Sequence, residues 1–175
     1  MIWLAAFLLA LPAFSQEIPE VSRFIEESIT KRQFPGAVCL IGSGDEVLHK
    51  KAYGFMSFDK TPKPMTIDTI FDAASLTKVV ATTSAIARLY EMGKIDIEAP
   101  VSKYLPEYKY RNITVRQLLT HYSGLRPDVD LEPEWSGYGT GIQLAIADAP
   151  VNPPGEKFVY SDINFVLLGE IVQRL

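Results

Sequence analysis

Only two segments of this chain read as β-strands, and they are adjacent. "GAVCLIGSG" and "EVLHKKAYGFMS" are rich in strand-favouring residues and bracket turn chemistry at Gly42 to Asp45, which predicts an antiparallel hairpin. A lone hairpin is not a stable sheet. Sheet partners are therefore expected beyond the 175 residues, in a C-terminal portion following Leu175.

The other apolar residues recur at helical spacing. In "PEVSRFIEESITKRQF", Val21, Phe24, Ile25 and Ile29 mark one packing face, and Pro35-Gly36 ends the helix. Residues 75–92 predict a long helix, with Leu76, Val79, Val80, Thr83, Ile86, Ala87 and Tyr90 in helical register and Gly93 at the C-terminal cap. "TVRQLLTHYSGL" is a further helix with Thr114 as N-cap and Gly124 just past its end. Residues 125–141, rich in Pro, Gly and acids, are expected to form a surface loop, and the "GYGTG" within it lacks the strand and βαβ setting of a dinucleotide site. "GIQLAIADAP" predicts a short helix. "INFVLLGEIVQRL" predicts an apolar one, whose face of Phe165, Leu168, Ile171 and Val172 runs to Leu175 with no cap, a second reason to expect more chain.

At 47% hydrophobic and 22% charged residues the chain can bury the core of one domain. Its net charge of −4 is spread without a basic stripe, which argues against nucleic acid as a partner. Cys39 is single and reads as a buried strand thiol, and no Cys/His spacing implies zinc. Residues 1–15, "MIWLAAFLLALPAFS", are uncharged and apolar, with Ala13 and Ser15 placed for a small-x-small cleavage. They are too short to span a bilayer comfortably and predict a secretory signal cut after Ser15. Neither a lipidation cysteine nor a second apolar span indicates a stable membrane anchor, so a soluble periplasmic or secreted protein, acting as a monomer, is expected.

One ammonium interrupts the uncharged run of the long helix. Lys78 lies three residues after Ser75, on the same helix face one turn away. Ser75 in the first turn would meet free backbone N–H groups and the positive end of the helix dipole. Lysine ordinarily titrates near 10.4, and desolvation can lower that by several units. A buried Lys78 could then serve as general base for a Ser75 nucleophile, the Ser-Lys variant of acyl transfer. From this motif alone, a surface lysine with its stem over apolar neighbours remains equally open. A Ser-His-Asp triad would need His121, which ends a predicted helix and is better read as a structural hydrogen-bonding group; His49, beside Lys50 and Lys51, reads as an exposed strand residue. Tyr160 follows a Pro-Gly turn and immediately precedes a helix. Its hydroxyl could shuttle a proton beside a buried lysine, although a core tyrosine would look the same.

With "FDAASLTKVV", "ITVRQLLTHYSGL" and "PPGEKFVYSDINFVLLGEIV" in hand, the chain from about Val21 to Leu175 resembles the serine β-lactamase and penicillin-binding-protein superfamily, and within it the class C β-lactamase-like group with its D,D-peptidases and esterases. The resemblance implies an α/β (α+β) fold, an antiparallel sheet flanked by helices with a helical region beside it, and makes residues 16–175 the N-terminal portion of a single such domain. By resemblance Ser75 is the acylated nucleophile, Lys78 its activating partner, and Tyr160 the tyrosine of a Tyr-x-Asn motif; no metal or organic cofactor is implied. The alternative register, Ser161-Asp162 as the start of Ser-Asp-Asn, fails at Ile163. In the Tyr160 register the family Asn is Asp162, a substrate-binding position. An ionised Asp accepts but cannot donate, and it favours a charged Lys78. A weaker β-lactamase, inclined to esters or peptides, is expected. The family's third motif, Lys-Thr-Gly or His-x-Gly on a strand supplying an oxyanion-hole N–H, would fall after Leu175. Losing such a donor costs roughly 10²- to 10³-fold in rate. The expectation is an exported serine hydrolase acting on a β-lactam, D-Ala peptide or ester. The alternatives are a non-catalytic penicillin-binding or sensor protein, and an inactive truncated fragment.

Overall fold

A computed structural model describes residues 17–175. The export signal expected at residues 1–15 lies outside the described residues. Two compact units divide the chain after Asp72.

In the first unit, helix α1 (Pro19–Thr30) begins with Pro at its first turn, where the missing N–H costs nothing. Strands β1 (Gly36–Ser43) and β2 (Glu46–Gly54) form the expected antiparallel hairpin around a two-residue turn, with a register shift at Ile41/Gly42. The face of β2 toward α1 is polar. His49, expected outside, is fully buried. Its Nδ1 accepts the Ile18 N–H at 3.1 Å, and its Nε2 lies 2.7 Å from the Tyr53 hydroxyl. That hydroxyl meets Ser22 Oγ at 2.8 Å, and Ser22 donates to Glu17 at 2.8 Å. The buried His49, Tyr53 and Ser22 side chains are each hydrogen-bonded, which is what makes their burial tolerable. The face of α1 expected from its apolar spacing is therefore only partly used. Ser22 and Ser28 are buried, and Phe24 is 70% exposed. Cys39 is half-buried in β1, opposite Lys51, rather than buried.

The second unit is helical. From residue 76 to 91 the chain is continuously helical, with a π-helical segment at Lys78–Thr83 followed by α2 (Ser84–Glu91). Gly93, at φ 68°, ends it, and Lys94 N–H reaches back to Leu89 O at 2.9 Å. After a 3₁₀ turn (Val101–Lys103), α3 (Val115–Leu119) starts with a reciprocal cap. The Gln117 N–H donates to Thr114 Oγ1 at 3.2 Å, and the Thr114 N–H donates to Gln117 Oε1 at 2.9 Å. Helix α4 (Tyr138–Ala147) takes in part of the expected 125–141 loop, so "GYGTG" opens a helix. Helix α5 (Asp162–Arg174) runs against α2, α3 and α4. It buries Ile163, Leu167, Leu168 and Ile171 in a core with Val101, Leu105, Ile113, Leu118 and Leu125. Of the long apolar run, Ile86 is buried, whereas Leu76, Val79, Val80 and Tyr90 are exposed. Among the described residues no helix is long and apolar enough to cross a membrane.

Candidate active site

Ser75 sits in a tight turn that starts the long helix. Ala74 has φ 42°, and Leu76, Thr77 and Lys78 each bond back three residues, the last from Lys78 N to Ser75 O at 3.1 Å. The widened π segment begins at Lys78 itself, a geometry frequent at functional sites. Lys78 Nζ donates to Ser75 Oγ at 3.2 Å.

Tyr160 arrives from a segment 85 residues away, and its hydroxyl donates to the same Ser75 oxygen at 2.8 Å. Asp162, first residue of α5, places Oδ1 2.5 Å from Lys78 Nζ. The structure thus gathers all four residues expected from the sequence. The Lys78 side chain is 15% exposed. Its ammonium lies 5.2 Å from the Tyr160 ring centroid and 5.9 Å from that of Phe165. In the sequence Phe165 reads only as part of an apolar helix face. Its spacing of three from Asp162 was the available signal that it flanks the lysine.

Desolvation alone does not set the charge of Lys78. Burial pulls its pKa down, but the hydrogen bonds and charges of Asp162 and Tyr160 outweigh it, and the pKa stands above the ordinary lysine value. Of the two opposed influences expected on Lys78, desolvation and the Asp162 carboxylate, the carboxylate prevails. Tyr160 moves the other way. Its contacts with Ser75 and Lys78 favour phenolate and hold the phenol below its usual pKa. The proton is thereby biased onto Lys78, and Tyr160 becomes the better acceptor.

The hydrogen bonds of the His121 ring go to Ser161 and Asn164, so the structural hydrogen-bonding role expected of it is present. Nδ1 accepts the Ser161 N–H at 3.1 Å, and the ring stacks on Tyr160 with centroids 4.6 Å apart. Desolvation and the nearby Lys78 ammonium lower its pKa, against an opposing pull from Asp162.

The family model described as Beta-lactamase matches residues 21–175. Protein flp of Staphylococcus aureus strain N315 is 31% identical over 166 residues, covering 89% of this chain and 33% of that protein. The N-acetylmuramyl-L-alanine amidase of Bacillus subtilis strain 168 is 34% identical over 183 residues, covering 92% and 41%. Among solved structures, the class C β-lactamase from Rhodobacter sphaeroides superposes with a TM-score of 0.72 at 25% identity, covering 89% of this chain and 43% of that one. The chain spans about a third to two fifths of the length of these curated relatives. With the family model matching all but the first twenty residues, and the fold shared with a class C enzyme, the chain belongs to the β-lactamase family.

Proposed function

We propose that this chain is the N-terminal portion of an exported serine hydrolase and carries the serine that is acylated. The observation behind the reading is the convergence on Ser75 Oγ of Lys78 Nζ at 3.2 Å and Tyr160 OH at 2.8 Å. Tyr160, as phenolate, takes the Ser75 proton while the Ser75 oxygen bonds to the substrate carbonyl carbon. Lys78 remains an ammonium and stabilises both the phenolate and the developing alkoxide. As the carbonyl re-forms, the C–N or C–O bond breaks and Tyr160 returns its proton to the leaving group. Water then adds to the acyl-Ser75 ester, releases the acid and restores the serine. No metal enters these steps.

The substrate class is a small carbonyl compound: a β-lactam, a D-Ala peptide of peptidoglycan type, or an ester. Support comes from relatives named for amidase and class C β-lactamase activity. Asp162 favours the easier leaving groups of esters, since it neutralises the charge that Lys78 would otherwise lend to the reaction. The same ion pair favours a second reading, a penicillin-binding protein or sensor that acylates and turns over slowly.

A fluorescent penicillin tests both. Labelling that Ser75→Ala abolishes is expected. Label lost within minutes identifies a hydrolase, and label retained for hours identifies the slow binder. Unchanged hydrolysis of every ester and lactam tried in Ser75→Ala would overturn the nucleophile assignment.

A further inference from the structure

We propose that His121 is a positioning residue that holds Tyr160 against Ser75. The proposal rests on the reading above of Tyr160 as the proton carrier. His121 reaches both neighbours of Tyr160 in the chain. Its carbonyl accepts the Val159 N–H at 2.9 Å, and its Nδ1 accepts the Ser161 N–H at 3.1 Å. Between those two bonds its imidazole lies against the Tyr160 ring, 29° from parallel. Phe158 and Phe165 pack on the same imidazole, at centroid distances of 5.8 Å and 5.3 Å. One residue thus grips the main chain on either side of Tyr160 and the phenol itself. It does so from a left-handed backbone, φ 60°, uncommon outside glycine although histidine is among the side chains that adopt it more readily.

The hydrogen-bond chain behind the ring determines which imidazole nitrogen carries the proton. The Leu125 N–H donates to Ser123 Oγ at 3.1 Å, so the Ser123 hydroxyl proton is available to Asn164 Oδ1, 2.6 Å away. With that oxygen occupied as an acceptor, the buried Asn164 amide turns its NH₂ toward His121 Nδ1, at 3.2 Å. Nδ1 therefore faces two donors, from Ser161 and Asn164, and can only accept. The neutral ring has its proton on Nε2.

An imidazolium would set a third N–H against those two donors. The titratable groups around the ring are Lys78 from the π segment, Asp162 from α5, and Tyr160. Burial first, and the Lys78 ammonium second, oppose a positive charge on the ring, Asp162 offsetting them only in part, and the His121 pKa is lowered. The grip on residues 159–161 therefore needs a neutral His121. It loosens as pH falls through a value below the ordinary histidine range.

The test compares wild type with His121→Phe, which keeps a ring on Tyr160 but cannot accept from Ser161, in the full chain as encoded. kcat and KM for a chromogenic ester are measured from pH 4.5 to 8. Burst titration with a fluorescent penicillin counts active sites, and Tyr160→Phe is the reference. Misplacement of a reacting group by about 1 Å costs on the order of 100-fold. The expected result for His121→Phe is a loss in kcat per active site of about tenfold or more, KM within threefold, and loss of the lower-pH step expected from His121 in the wild-type kcat profile, with the separate Tyr160 limb retained. His121→Gln, whose amide oxygen can accept from Ser161, should recover part of the rate.

A kcat per active site and a lower-pH step both unchanged in His121→Phe would overturn the proposal, leaving His121 a merely structural residue. Full activity in Tyr160→Phe would instead overturn the reading beneath it. ¹⁵N NMR of the wild-type imidazole provides a measurement independent of variant folding. An Nε2–H tautomer at pH 7 is expected, and an Nδ1–H tautomer or an imidazolium would sink the proposal.

Discussion

Asp162 Oδ1 stands 2.5 Å from Lys78 Nζ, nearer than the 3.2 Å that separates the same ammonium from Ser75 Oγ. The lysine's strongest partner is thus a carboxylate and not the nucleophile. Its charge is partly neutralised before any alkoxide or phenolate can use it.

Replacing Asp162 with Asn should release that charge. The amide retains an acceptor for Lys78 and gains a donor for a substrate carbonyl. Turnover of a chromogenic cephalosporin is expected to rise about tenfold, the equivalent of one pKa unit of differential stabilisation. Equal or slower turnover in Asp162→Asn would count against the idea that this carboxylate restrains the site.

The opposed shifts of Lys78 and Tyr160 give a pH signature. If Tyr160 acts as phenolate, kcat/KM for an ester should climb with pH through a value below the ordinary tyrosine pKa of about 10. Asp162→Asn should move that limb to still lower pH, because an unneutralised ammonium favours phenolate more. Tyr160→Phe should abolish the limb and lower kcat by about 10²- to 10⁴-fold. A limb that persists in Tyr160→Phe would assign the base elsewhere.

The same ion pair links stability to alkaline pH. The folded pKa of Lys78 lies above its unfolded value, so its contribution is fully present below the unfolded pKa of about 10.4 and fades as pH rises through the folded one. Denaturant midpoints of wild type and Asp162→Asn should therefore differ at pH 8 and converge once pH has risen past the folded lysine's pKa. A constant gap between the two curves over that range would show that the pair does not titrate as described.

Local chemistry was legible in the sequence wherever it was enough to determine structure. The hairpin turn, the Thr114 cap, the end of the long helix at Gly93 and the common face of Ser75 and Lys78 each depend on residues a few positions apart. What depended on distant partners was not legible. His49 looked exposed because its burial depends on Ile18, Tyr53 and Ser22 supplying a chain of hydrogen bonds across α1 and β2. Leu76, Val79 and Val80 follow helical spacing faithfully and still face outward, since periodicity marks a stripe without saying what covers it. The upward direction of the Lys78 shift was legible once Asp162 was read in the Tyr160 register, whereas desolvation taken alone points the wrong way; what the sequence did not hold was the 2.5 Å approach of that carboxylate from 84 residues on.

The segment behind His121 offers a stability test that separates backbone strain from steric collision. Gly93 and Gly124 both have positive φ, 68° and 81°. A Cβ at Gly93 would meet nothing within 4 Å, so Gly93→Ala should cost only the left-handed backbone penalty, about 1–2 kcal/mol. At Gly124 an added Cβ would stand 2.0 Å from the Asn152 carbonyl oxygen. The Gly124 carbonyl also accepts the N–H groups of Val151 and Asn152, at 2.8 Å and 3.2 Å. The approach is backbone to backbone and cannot relax by a rotamer change. Gly124→Ala should therefore cost about 3–5 kcal/mol, at the upper end for single substitutions. Because Ser123 and Leu125 on either side of it orient Asn164 behind His121, kcat should fall in whatever fraction stays folded. Urea midpoints and active-site titration of the two variants, side by side, decide the matter: equal losses of stability at Gly93 and Gly124 would mean that the close approach to Asn152 does not constrain the fold.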